Sequence, residues 1–173
     1  MEVKFTNHYE RNKGIIKEIY LGYYTRPFWL FLFFCLIVEF VTALALVIIN
    51  AALGSDFHHL IWALVLPTLC FLHIFISYNM YVSTTHKRDL EMHGKNVVIE
   101  IKITDEFIQN DTETSSAKLT YDNITSAYQT KNLILLRSKA RLIYALKKDS
   151  FELGTKEEFI SFLKSKGITV SGK

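Results

Sequence analysis

The sequence predicts an α+β membrane protein: a two-helix transmembrane hairpin, then a cytoplasmic antiparallel β domain closed by a C-terminal helix. Three observations predict it. The apolar residues concentrate between Phe28 and Tyr81, while most of the charge lies outside that span. From Asn96 the pattern changes to strict alternation. Near the C-terminus a capping motif precedes a short apolar stripe. With 173 residues, the chain has room for one ordinary domain plus an anchor.

Residues 1–27 read as a cytoplasmic N-terminal amphipathic segment. Ile15, Ile16, Ile19, Tyr20 and Tyr23 recur at helical spacing over His8–Thr25, with Arg11, Lys17 and Glu18 elsewhere on the wheel. A helix lying at the membrane interface fits this pattern. A helical extension of the first span fits nearly as well, and Pro27 argues for a break between the two. Contact with anionic lipid and a solvated helical face are both consistent with it.

Residues 28–81 form the hairpin, with spans at about 28–49 and 60–81. At about 1.5 Å per residue, the first is long enough for a hydrocarbon core of about 30 Å. Its Leu, Ile, Val and Phe residues favour insertion by roughly 5–10 kcal/mol, against a cost of about 3 kcal/mol for Glu39. It starts too late and runs too long for a cleaved leader, and lacks a small-residue cleavage site. The second span carries Pro67, His73 and Asn79, and Pro67 predicts a kink. The link Asn50–His59, with Gly54, Ser55 and Asp56, is short enough to force an antiparallel pair.

Basic residues set the orientation. Lys4, Arg11, Lys13, Lys17 and Arg26 precede the first span, and Lys87, Arg88 and Lys95 follow the second. The connecting loop has no Lys or Arg, so both termini are expected in the cytoplasm, in a multi-pass protein of the cell membrane. Tyr23, Tyr24, Trp29, Tyr78 and Tyr81 suit the inner interface and Trp62 the outer one.

Residues 82–95 read as a linker, and 96–173 as the β domain. Val97, Ile99, Ile101 and Ile103 alternate with Val98, Glu100, Lys102 and Thr104, the mark of a half-buried strand. Further strands are predicted near Glu106–Asn110, Ser116–Tyr121, Ile124–Thr130, Leu133–Ser138 and Arg141–Lys147. Thr155 and Glu158 form a T-x-x-E capping box, Phe159, Phe162 and Leu163 make one stripe, and Gly167 is placed to end the helix.

Two apolar spans, a strand meander and the closing segment Phe151–Lys164 (FELGTKEEFISFLK) resemble the YcxB-like family of bacterial membrane proteins. Tyr121–Ile124 (YDNI) and Tyr128–Leu133 (YQTKNL) are similar to that family's middle. The resemblance implies a pleckstrin-homology-like cytoplasmic domain, a bent sheet closed by a helix. That fold usually has seven strands where six are counted here, and Glu2–Thr6 could supply the seventh by folding back. No activity and no site residue carries over from the family.

The residues themselves offer one candidate site. Glu39 is an ionisable group at mid-span, and His73 lies at similar depth on the other span, so the two form a candidate intramembrane polar pair, within one hairpin or across an oligomer. Three roles are open: a clasp fixing helix register, a protonated Glu39 bonded to backbone or Thr42, and a proton or ion path. Cys35 and Cys70 read as small apolar fillers rather than a disulfide. The six histidines show no metal-ligand spacing, and no phosphate loop, G-x-S-x-G, G-x-G-x-x-G or H-E-x-x-H occurs. A formal charge of +3, without a basic run, gives no reason to expect nucleic acid as a partner. The expectation is a non-enzymatic, cofactor-free protein in the bilayer, whose domain docks a protein partner or a second copy. The alternative is a small oligomeric transport or ion-path component using Glu39 and His73.

Overall fold

A computed structural model describes residues 2–24, 27–54 and 58–172. The side chains of residues 23, 24, 27–29, 58–60, 63 and 66 lie outside that description. Residues 1–22 and 84–173 form one compact unit, and residues 23–83 form a second.

The first unit is built on alternation. Strand β2 (Val97–Ile103) buries every second residue, Val97, Ile99, Ile101 and Ile103. Antiparallel to it runs β1 (Phe5–Arg11), which buries Phe5, Asn7 and Tyr9 in register with Ile103, Ile101 and Ile99. Then follow β3 (Phe107–Asp111), β4 (Ser116–Thr120), β5 (Ile124–Gln129), β6 (Leu133–Ser138), β7 (Ile143–Lys147) and β8 (Phe151–Leu153). Helix α4 (Lys156–Ser165) and the two-residue β9 (Val170–Ser171) close the chain. (Helices α1, Lys13–Tyr24, α2, Pro27–Ala52, and α3, His58–His93, lie between β1 and β2 in the sequence.) One sheet has the order β4-β3-β2-β1-β8 and the other β7-β6-β5-β9. Both contribute to one core, with Ile101, Ile103, Leu133, Leu135, Leu136, Leu146, Phe159 and Leu163 fully enclosed.

The expected α4 appears with its expected ends. Thr155 accepts from the Glu158 amide, and Glu158 accepts from the Thr155 amide, a reciprocal capping box. At the far end Gly167 takes φ +78° and donates to Lys164. Gly154 has the same conformational need at φ +75°, and a Cβ there would meet the Phe5 ring at 2.4 Å. That close approach lets Phe5 cover Phe159, with ring centroids 5.7 Å apart.

Two expectations change here. The N-terminal helix is shorter than His8–Thr25: residues 8–11 belong to β1, and α1 covers Lys13–Tyr24. Asn12 separates the two, its Oδ1 accepting from the Ile15 amide at 3.0 Å. The seventh strand is supplied from the N-terminus, but as Phe5–Arg11 rather than Glu2–Thr6. The apolar face of α1 packs onto the β unit, with Ile15 and Ile16 buried in it. Gly22 continues this face, its Cα so close that a Cβ would meet Leu135 at 2.8 Å. The sheets also gain β8 and β9, which were not anticipated.

The second unit holds α2 (Pro27–Ala52) and most of α3 (His58–His93). Leu30–Ala52 of α2 is 23 residues long with mean hydropathy 2.9, enough to cross a membrane by length and composition. Only 6% of its most apolar window is buried within the chain. Phe31, Phe34 and Ile48 stand exposed on it. The expected second span, 60–81, falls inside α3, and its side chains at 60, 63 and 66 lie outside the described residues. The turn residues Ser55 and Asp56 do too. α3 runs as one helix through Pro67 and on to His93, so the expected linker 82–95 is largely helical.

Candidate functional site

Glu39 is exposed on α2 and His73 is exposed on α3. No hydrogen bond or ion pair joins them among the described residues, nor does one join Glu39 to Thr42. His73 does line an open apolar hollow of about 370 Å³ with Leu36, Leu69, Cys70 and Ile74. Cys35 and Cys70 are both free thiols.

The most elaborate polar chemistry in the described residues lies where the N-terminal segment meets the β unit. It has three parts. Asn7 is fully buried, and its amide works like a peptide group. Nδ2 donates to the Lys147 carbonyl at 2.8 Å, and the Lys147 amide donates to Oδ1 at 3.0 Å. Two residues on, the Tyr9 hydroxyl donates to the Ala145 carbonyl. Burial pushes that phenol well above its ordinary range, so it stays a donor. β1 is thus bonded by backbone to one sheet and by side chains to the other.

At the end of β1, Arg11 grips Asp89 of α3 with both prongs. Nε donates to Oδ2 at 2.9 Å and Nη2 to Oδ1 at 2.8 Å. Asp89 is 5% exposed and Arg11 29%. This bidentate geometry is the strong form of the ion pair.

The third part is Glu18 of α1. Its carboxylate accepts from Thr130 Oγ1 at 2.5 Å, the Asn132 amide at 2.6 Å and Asn132 Nδ2 at 2.8 Å. These groups form the β5–β6 turn. Partial burial acts to raise the Glu18 pKa, but the bonds from Thr130 and Asn132 outweigh it and hold the carboxyl below the ordinary glutamate range. A folded-state value below the unfolded one makes the ionised clasp stabilising above the ordinary range. That stabilisation fades as pH falls through the lowered value. Glu18→Gln is expected to cost about 1–3 kcal/mol. Amide exchange at 130–133 in the wild type should accelerate on acidification through that window. The variant should exchange faster at neutral pH and lack the acid-dependent step.

The outer face of the five-stranded sheet carries a shallow cleft of about 280 Å³, lined by His8, Val98, Glu100, Asp111, Thr112 and Glu113. Its acids are answered locally. Lys102 sits 3.0 Å from Glu100, Lys95 sits 2.8 Å from Glu113, and Ser116 and Gln109 donate to Asp111. Among the described residues no group of three His, Cys, Asp or Glu side chains is placed to hold a metal ion.

The sequence assigns no site role to Asn7, Arg11, Asp89 or Glu18. The signal for Asn7 was present, since Phe5, Asn7 and Tyr9 alternate as a strand should. The helical spacing that begins at Ile15 had been extended too far upstream. The partners of Arg11 and Glu18 lie 78 and more than 110 residues away, beyond any local pattern.

Two sheets sharing one core, a capped helix packed into that core and, between β1 and β2 in the sequence, an apolar helix make this an α+β chain. Residues 103–163, from the end of β2 into α4, match the family model described as YcxB-like protein. The resemblance seen in Tyr121–Leu133 and Phe151–Lys164 is borne out over that segment, which is YcxB-like. No curated protein matches the chain.

Proposed function

We propose that this chain is a non-enzymatic membrane anchor for a docking domain. In this reading α2 and the 60–81 part of α3 cross the cell membrane, with both termini in the cytoplasm. The β unit is a pleckstrin-homology-like module that captures a protein segment. The observation that carries the reading is the 23-residue apolar stretch of α2, exposed along nearly its whole length and preceded in the chain by the start of a compact β unit. Such a surface in water would associate indiscriminately, whereas in hydrocarbon it is at home. Basic residues on both flanks support the orientation.

The docking half rests on β4. It is the outermost strand of its sheet, and Ser116, Ala117 and Lys118 are exposed. An added extended segment would find free backbone groups there. Self-association is the second reading, favoured by one observation. Glu39 is an exposed carboxyl on a mostly apolar helix, so in a membrane it faces either lipid or a neighbouring subunit.

The test has two stages. Alkaline carbonate extraction of native membranes should leave the chain in the pellet, and a soluble chain would end the anchoring proposal. A photocrosslinking amino acid in place of Ala117, compared with one in place of Ser161 on α4, should then give a heavier adduct only at position 117. An adduct of twice the chain mass would favour self-association, and no adduct at 117 would end the docking proposal.

A further inference from the structure

We infer that the outer face of α1, together with the β5–β6 turn, is a binding surface for the headgroups of anionic phospholipids in the same membrane. Three observations carry it.

The first is how α1 is seated. Ile15, Ile16 and Gly22 face the β unit, so the opposite face is turned outward. Lys13, Lys17 and Leu21 lie on that face at four-residue spacing, and all three are exposed. The apolar side of the helix is therefore used internally, and what it offers outside is a basic stripe ending in one exposed leucine.

The second is what Glu18 does. Its carboxylate is occupied by Thr130 and Asn132, which places Lys131, between them, next to α1. Lys148 also joins the turn, with Nζ donating to the Thr130 carbonyl at 2.6 Å. Lys13, Lys17 and Lys131 have no ion pair among the described residues. The Glu18 carboxylate is itself turned toward the turn it clasps.

The third is covalent. α1 ends at Tyr24 and α2 begins at Pro27. Glu18 precedes Tyr24 by about 9 Å of helix, and three extended residues span about 10 Å at most. The patch is therefore tethered to the start of α2 by the short stretch of chain between Glu18 and Pro27. With α2 in the membrane, a basic patch on so short a tether meets the negative surface potential of the cytoplasmic leaflet.

This surface depends on the anchoring proposed above, and the test separates the two. The full chain is placed in nanodiscs of phosphatidylcholine alone or with phosphatidylglycerol, and amide exchange is followed at 13–24 and 130–133. Protection there should rise about fivefold or more with phosphatidylglycerol and vanish at high salt. Combined Lys13→Gln, Lys17→Gln and Lys131→Gln should abolish the rise, while Lys164→Gln on α4 should leave it. Exchange in β2 reports whether the variants stay folded, and the salt arm needs no variant. Equal protection in both discs, a rise that survives salt, or a rise matched by soluble glycerol phosphate in neutral discs would overturn this inference alone. A chain that fails to enter the discs would overturn both.

Discussion

Phe159→Ala is expected to be the most damaging single truncation in the β unit, at about 3–5 kcal/mol. The side chain is fully buried, and the rings of Phe5 and Phe151 each stand 5.7 Å from it by centroid. It is the point where α4 enters the core, so its loss leaves a cavity bordered by β1, β8 and the helix itself. Relaxation is restricted because the capping box fixes one end of α4 and the Gly167 turn the other. Amide exchange of α4 in detergent-solubilised protein should accelerate by two to three powers of ten. Phe159→Leu, which retains most of the volume, should recover much of the loss. If Phe159→Ala exchanged like the wild type, α4 would not be part of the cooperative unit.

Arg11→Met is expected to cost about 3–5 kcal/mol, far more than a surface ion pair would. The asymmetry comes from burial. Asp89 is 5% exposed, so removing the guanidinium leaves a carboxylate with neither water nor a partner. Combining it with Asp89→Leu should recover much of the loss, because an apolar pair of similar size has no charge to strand. The ladder of β1 against β2 reports the effect, since Arg11 is opposite Val97 at its end. Little difference between the single and double variants would mean that Asp89 reaches solvent without Arg11.

The parts of the fold legible in the sequence were those written locally. The alternation of Val97–Ile103, the T-x-x-E box at Thr155 and the glycine at 167 each rest on residues within one or two turns of one another. The apolar stretch of α2 is likewise a local property. The elements that were missed are short or held from a distance. β8 has three residues and β9 two, too few to show a period, and each exists because a distant strand offers it a ladder. The helical continuation of α3 through 82–93 is polar on most of its surface. Its seating depends on Asp89, whose partner is 78 residues upstream. The candidate pair Glu39 and His73 came from depth alone, and depth does not determine which way a side chain points around the helix axis.

The placement of β1 has a consequence for how the protein is made. Some 85 residues separate Arg11 from Val97, and they include both long helices. A ribosome working at about 5–20 residues per second emits β1 several seconds before β2, its first partner, exists. During that interval Phe5 and Tyr9 have no sheet to join, while the apolar segment that follows them is being made. β8, which flanks the other side of β1, is made later still. The domain therefore assembles around its oldest strand last, and a stall or truncation anywhere before Leu153 would release a chain whose first strand has only part of its sheet.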